Sequence, residues 1–350
     1  MSADDLRGLS ARVDRLDSQD ESSQDRKKPL WRPVRFLVGL GVVSLTVSLS
    51  WVGQQATTRS AQVETVSLEA LMVSDAPRRS IPLDMHPRVD KWLEAFQTTH
   101  RDHFAYLLIK KKRFDEVIQS NLRMRGMPEE LVYIPMIESE YSPLAVSRVS
   151  AVGLWQFMSP TALQYGLRVD PYVDERRDPI RATDAALDYL DYLHNRFGGS
   201  WYLAAAAFNA GPGRLERVLN RRAEGKEWND ALFWEIVDYL PRETREYIPK
   251  MIAVTRLAKQ AEAQREAVEF ASHTVTPYRY DNIFVPGGTT LQSVADALDA
   301  NAGLLVALNP HLTQRMTPPG EMYGIRVPVG SGAVAVAMLS LGLPARRADD

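Results

Sequence analysis

The stretch best equipped for chemistry runs from Pro128 to Pro160, PEELVYIPMIESEYSPLAVSRVSAVGLWQFMSP, and its central acid is Glu138. Pro128 suits the first position of a helix, and Glu129 and Glu130 suit its first turn. Leu131, Ile134, Ile137 or Glu138, and Tyr141 then recur at helical spacing, which predicts a helix with a kink at Pro135. On that helix Glu138 lies on the apolar stripe, one turn past Ile134. Glu140, two positions on, points about 200° around the axis and away from it. A carboxyl on an apolar face is desolvated, which raises its pKa and keeps it protonated near neutrality. That is the state a general acid needs. Helix geometry alone leaves a second reading open, and by frequency the commoner one: an acid at a helix end paired with one of the chain's many arginines. Ser142-Pro143 stops the helix. A segment rich in Ala, Ser and Val then leads to Gly153-Leu154-Trp155-Gln156-Phe157-Met158.

Four separated blocks extend the pattern. They are Glu138-Ser139-Glu140-Tyr141-Ser142-Pro143; Ser147 through Gly153-Leu154-Trp155-Gln156-Phe157-Met158-Ser159-Pro160-Thr161-Ala162; Ala207-Phe208-Asn209-Ala210-Gly211-Pro212-Gly213-Arg214; and Leu240-Pro241-Arg242-Glu243-Thr244-Arg245-Glu246-Tyr247-Ile248-Pro249-Lys250-Met251. In this order they resemble the lytic transglycosylases with a goose-type lysozyme fold, and among these the membrane-bound lytic murein transglycosylase D type. Tyr165-Gly166-Leu167 and Asp174-Glu175-Arg176-Arg177-Asp178-Pro179 match as well. The likeness covers residues 87–259, about half of the chain.

The resemblance implies cleavage of the β-1,4 bond between N-acetylmuramic acid and N-acetylglucosamine in peptidoglycan. Glu138 would act alone, first as acid on the glycosidic oxygen and then as base on the C6 hydroxyl, leaving a 1,6-anhydro end. The substrate's own N-acetyl oxygen would stabilise C1. By motif position Ser147, Gln156, Met158, Phe208, Asn209, Glu243 and Tyr247 would line the saccharide cleft, with Tyr247 orienting Glu138. A purely structural role stays open for each of these seven, most of all for the large apolar Met158 and Phe208. Relatives often carry Tyr where Phe208 stands. Ser150 replaces a usual Gly, so a positive φ there would strain the loop. A hydrolase on the same fold would need Asp170, Asp174 or Asp178 to hold a water; these sit in a Pro-containing loop and read more simply as turn and salt-bridge residues. A non-catalytic peptidoglycan-binding protein is the third reading.

The elements that must hold this site are helical. Val89, Trp92, Leu93 and Phe96 share one stripe; helices are expected over 103–109 and 114–124 as props for the catalytic one. Ala186, Leu187, Leu190, Leu193 and Phe197 define a helix over 183–196, ended by Gly198-Gly199. Trp201 to Phe208 is almost wholly apolar, as a helix buried on all sides would be. Gly211-Pro212-Gly213 reads as a tight turn, and a helix over 244–263 closes the domain. The fold class expected is mainly α, a lysozyme-like helical domain over 85–265. Residues 274–330 change character, with a strand–helix–helix–strand order that resembles a LysM module, although Gly288 stands where that family usually has Asp. Glycan binding and a structural cap weigh about equally for this module. Residues 331–350 read as a tail.

Upstream, residues 1–30 are polar and charged with a marginal amphipathic helix. The uncharged run 36–52, 17 residues long, reaches the lower end of the roughly 17–25 that span a bilayer. Trp31 and Trp51 bracket it, and Arg26, Lys27, Lys28, Arg32 and Arg35 precede it. With a long basic segment before it and no clear Ala-x-Ala site after it, the run predicts an uncleaved anchor over 31–53 in preference to a cleaved signal peptide, single-pass in a bacterial inner membrane, with the N-terminus cytoplasmic and the catalytic domain periplasmic. A linker over 54–84 follows. The net charge of −2 argues against a polyanionic partner such as nucleic acid. The chain has no cysteine, which excludes disulfides, thiolate metal sites and a lipid-modified cysteine tether. His86, His100 and His103 form the only loose histidine cluster and read as surface or core residues. No metal or cofactor is implied. The partners expected are peptidoglycan glycan strands and the membrane, and the sequence points to no protein partner.

Overall fold

The structure, a computed structural model, describes residues 80–265 and 275–341. The expected anchor and the N-terminal segment lie outside these residues. No helix among the described residues is long and apolar enough to cross a membrane.

The first described residues already belong to the helical domain rather than to a linker. Ile81 is buried, and the carbonyls of Pro82 and Leu83 accept hydrogen bonds from Tyr202 Oη and Arg256 Nη1 at 2.6 and 2.7 Å. Helix α1 spans Pro87–Gln97, with His86 Nδ1 accepting from the Arg88 amide as its cap. Helix α2 spans Arg101–Met124 without a break, where two shorter helices were expected. The Lys110–Arg113 run between the two expected helices consists of good helix formers. Within it Lys111 is buried and bonds to Asp115 at 2.8 Å and Glu262 at 3.4 Å.

A 3-10 turn at Glu129–Tyr133 leads into the short helix α3, Ile134–Ser139. The sequence suggested one kinked helix starting at Pro128. Instead Pro128 caps the 3-10 turn, and Pro135 lies in the first turn of α3, where its missing N–H leaves no bond unmade. Helix α4, Ser159–Gln164, follows the long loop after α3. Helix α5, Pro179–Arg196, starts on Asp178, whose carboxylate accepts from the Ile180 and Arg181 amides. Gly198 and Gly199, at φ +70° and +79°, end the turn after it. Helix α6, Trp201–Ala210, is buried from Trp201 to Ala207. Its four consecutive alanines let neighbours approach closely from every side.

Gly211-Pro212-Gly213 is not an isolated tight turn. It opens helix α7, Pro212–Arg222, with Gly211 at φ +83° as the joint. Helix α8, Asp230–Ile236, is capped by Asn229. Helix α9, Arg242–Arg265, carries Pro249 in its interior and packs on α1, α3 and α6.

Beyond residue 275 the chain forms strand β1 (Asp281–Val285), helices α10 (Leu291–Ala297) and α11 (Ala302–Leu308), and strand β2 (Tyr323–Val327). The two strands pair antiparallel, Asp281 opposite Val327 and Val285 opposite Tyr323. Gly288 adopts φ +81°, a conformation that favours Gly over Asp. The expected tail instead continues into helix α12, Gly332–Leu341. Asp281 Oδ2 accepts from the amides of Gly330 and Gly332 at its start, and Ala335 is buried in the module's core. The described chain is thus mainly α with one small two-stranded sheet.

Candidate active site

Helix α3 is six residues long and ends abruptly at Ser139, one residue past Glu138. Glu140 and Tyr141 both take left-handed backbone, at φ +54° and +57°, a conformation that costs non-glycine residues about 1–2 kcal/mol each. Three bonds hold the bend. Tyr141 is buried and donates its hydroxyl to the Val132 carbonyl at 2.8 Å. Ser139 Oγ donates to the Leu154 carbonyl at 2.8 Å, tying the helix end to the second block. Glu140, turned outward, meets His103 at 3.0 Å. Glu140 thus faces away as expected, although the cause is the left-handed cap rather than its place on a continuing helix.

Glu138 faces α9 across this bend. Tyr247 Oη donates to Glu138 Oε1 at 2.7 Å. Burial pushes the Glu138 carboxyl up to about 7, against the hydrogen bond from Tyr247, which favours the ionised form; the negative charge of Glu243 adds to the rise and Lys250 opposes it. The phenol of Tyr247 is itself pushed up by burial and by the adjoining carboxylate, so it stays a donor. Glu243, Tyr247 and Lys250 are four and three positions apart on one helix and share a face. Lys250 stands over the Trp92 ring, 5.5 Å from its centroid. Burial lowers its pKa, while Glu140 and Glu138 act to raise it. Lys250 belongs to the fourth sequence block, and its i, i+3 spacing from Tyr247 is the signal that places it on this face.

Asn209, at the end of α6, joins the same wall. Its Nδ2 donates to Glu243 Oε1 at 3.3 Å, and its Oδ1 accepts from Thr244 Oγ1 at 2.8 Å. Phe208 is half-buried, edge-on to Phe157 at 6.4 Å and tilted on Tyr189 at 5.5 Å. Met158 is 42% exposed, so of the two side chains most open to a core role it is the one that faces solvent.

Ser147 and Gln156 belong to the loop over 144–158, which closes on itself. Ser147 Oγ accepts from the Ala151 amide at 3.0 Å, and Gln156 Nε2 donates to the Gly153 carbonyl at 2.9 Å. Val152 and Phe157 exchange two backbone hydrogen bonds at 3.1 Å. Ser150, Gly153 and Gln156 have φ of +66°, +85° and +51°; the strain expected at Ser150 has its geometric basis here. Trp155 is fully buried and donates Nε1 to Thr183 Oγ1 of α5 at 3.0 Å.

The three aspartates that a water-activating mechanism would draw on are occupied elsewhere. Asp170 accepts from the Tyr172 and Val173 amides, Asp174 holds Arg176 at 2.8 and 2.9 Å, and Asp178 caps α5 and pairs with Arg326 at 2.7 Å. Among the described residues no group of His, Asp or Glu is arranged to hold a metal ion.

Residues 116–231 match the Transglycosylase SLT domain family. Residues 279–340 match the LysM-like domain of the lytic transglycosylase MltD. The SLT match includes Glu138 and Asn209; Glu243, Tyr247 and Lys250 lie beyond it. Among curated proteins the chain is similar to the membrane-bound lytic murein transglycosylase D of Escherichia coli K12, 38% identical over 145 residues, 41% of this chain and 31% of that one. It is also similar to the soluble lytic murein transglycosylase of Salmonella typhimurium, 30% identical over 136 residues, 37% of this chain and 20% of that one. These alignments span less than a third of either relative. Among solved structures, the 70 kDa soluble lytic transglycosylase of Escherichia coli aligns at 21% identity with a TM-score of 0.34, covering 53% of this chain and 38% of that chain.

Proposed function

We propose that the chain is a lytic transglycosylase of peptidoglycan, cleaving the β-1,4 bond between N-acetylmuramic acid and N-acetylglucosamine and leaving a 1,6-anhydro-N-acetylmuramic acid end. The observation that carries this reading is Glu138: a single carboxyl, raised to about 7 by burial and held at 2.7 Å by a phenol. Raised so, Glu138 is substantially protonated near neutrality and gives its proton to the glycosidic oxygen as the C1–O bond breaks. The N-acetyl carbonyl oxygen of the same sugar closes on C1, a form of substrate assistance. Glu138, now ionised and held by Tyr247, takes the proton from the C6 hydroxyl. O6 displaces the acetamide oxygen at C1, and Glu138 regains its proton. Water is neither added nor released.

On this reading Ser147, Gln156, Met158, Phe208, Asn209, Glu243 and Tyr247 form the saccharide cleft. Tyr247 and Asn209 belong to the catalytic wall, Ser147, Gln156 and Met158 to the opposing loop. The hydrolytic alternative retains one candidate base. Glu243 is exposed, and its charge is felt at Glu138, so it would be the carboxylate to orient a water. Single-pass anchoring through residues 36–52, with the N-terminus cytoplasmic, the catalytic domain periplasmic and a linker following the anchor, completes the proposal. It is supported by the apolar run, by the basic residues before it, and by the membrane-bound description of the Escherichia coli relative.

The test is to digest purified peptidoglycan and weigh the released muropeptides. Anhydro products, absent with Glu138→Gln, are expected. Products heavier by one water would replace this reading with a hydrolase.

A further inference from the structure

The sequence separates a catalytic domain from a C-terminal module, yet segment 171–178 joins the two, beside the contacts of Tyr278 and Arg279 with Arg113, Phe114 and Glu116 of α2. Val173 lies in the module's own hydrophobic core with Ile283, Leu291, Leu305 and Ile325. Its neighbours are tied to the strand-like stretch after α11. The Asp174 amide donates to the His311 carbonyl at 2.9 Å, the Thr313 amide to the Tyr172 carbonyl at 3.0 Å, and Thr313 Oγ1 to the Pro171 carbonyl at 2.7 Å. At the end of the segment Arg326 of β2 donates to Asp178 Oδ2 at 2.7 Å, with both side chains largely removed from solvent.

The opposite side of the same segment holds the cleft loop. Arg176 is buried, clasped at two points by Asp174, and Nη1 donates to the carbonyls of Ser150 and Phe157 at 3.2 and 3.3 Å. The backbones touch as well. A Cβ at Gly153 would lie 1.8 Å from the Arg176 carbonyl oxygen. A loop with three residues in left-handed backbone persists only where its surroundings over-determine it, and Arg176 supplies part of that determination.

We propose that the C-terminal module buttresses the saccharide-cleft loop, with Arg176 as the positioning residue that carries its hold from segment 171–178 to Ser150 and Phe157. The inference rests on the reading of this site as a glycan cleft. It gives the module a role in catalysis that requires no glycan contact of its own. Loosening the module then weakens binding even of glycans too short to reach it, while the Glu138–Tyr247 hydrogen bond, between α3 and α9, uses no atom of the loop.

The experiment uses the full chain with Arg326→Met and Arg176→Lys, read by amide hydrogen exchange and by kinetics on short soluble peptidoglycan fragments. Arg326→Met is expected to raise exchange over 144–158 as well as over 171–178, and to raise KM about tenfold with kcat little changed. Arg176→Lys, too short to hold Asp174 and both carbonyls together, is expected to do the same to the loop and KM while exchange over 279–340 stays at the wild-type level. Faster exchange over 279–340 with an unchanged loop and KM in Arg326→Met would overturn the proposal, and so would loop opening without a KM change. If Arg326→Met does not fold, Thr313→Val takes its place with the same outcomes. A wild-type chain that releases no glycan product would defeat the functional reading instead; the exchange data would still decide whether module and loop are coupled.

Discussion

On the proposed mechanism, replacing Glu138 by Gln removes the reacting proton; it also removes a charge that the fold disfavours. The carboxyl is pushed from the usual 4.5 to about 7, with burial as the largest cause. A carboxyl raised in the folded state stabilises nothing by ionising: its favourable, protonated form is fully present below about 4.5 and is lost as pH rises through about 7. Wild-type stability therefore falls across this window relative to a variant that cannot ionise. The gap between 4.5 and about 7, at roughly 1.4 kcal/mol per pH unit, corresponds to about 3.5 kcal/mol as an upper figure. Gln keeps an acceptor for the Tyr247 hydroxyl, so the comparison isolates the charge. Urea melts at pH 4.5, 6 and 8.5 measure it. Glu138→Gln is expected to gain about 2–3 kcal/mol on the wild type between the lowest and highest pH, with activity abolished throughout. A difference that does not change with pH would refute the claim that Glu138 is desolvated, and with it the physical case for a single-residue acid.

The neighbours of Glu138 should tune the alkaline fall of kcat/KM, which reports loss of the protonated acid. Tyr247→Phe removes a donor that favours ionisation and should move that limb to higher pH while lowering kcat/KM about tenfold or more; Glu243→Gln removes a raising charge and should move it to lower pH. A Gly153→Ala side chain would meet the Arg176 carbonyl at 1.8 Å in a left-handed position, so thermal or urea denaturation should show a loss of about 3 kcal/mol or more. Ser150→Gly relieves the backbone at φ +66° and should stabilise by about 0.5–1 kcal/mol in the same assay, with activity retained.

Much of this architecture was legible in the chain. Helical periods placed α1, α5, α6 and α9 within a few residues, because an amphipathic or wholly apolar pattern encodes which face is buried. The strand–helix–helix–strand order was visible because turn residues such as Gly287-Gly288 and Asn309-Pro310 punctuate it. Glu138 was visible as a carboxyl on an apolar stripe, and its hydrogen bond from Tyr247 agrees with the motif position of that residue. Errors arose where local signals conflict with distant partners. The Lys110–Arg113 run fell between two expected helices because the sequence gives no sign that Asp115 and Glu262 would take up Lys111. Residues 332–341 looked like a tail because their short apolar run lacks a periodic polar face, and only Asp281 and the module's core show where they dock.

The sequence by itself determined the residue types of the site and the helices that carry them, since spacing along a helix is a local property. It could not determine the height of the Glu138 pKa, which is set by burial together with Tyr247, Glu243 and Lys250 on a helix over a hundred residues away. Nor could it show that Arg176 joins the 144–158 loop to segment 171–178, because that contact depends on the carbonyls of Ser150 and Phe157 meeting a guanidinium held by Asp174. Local period fixes what a segment presents; desolvation and charge at a site come only from what the finished fold brings against it.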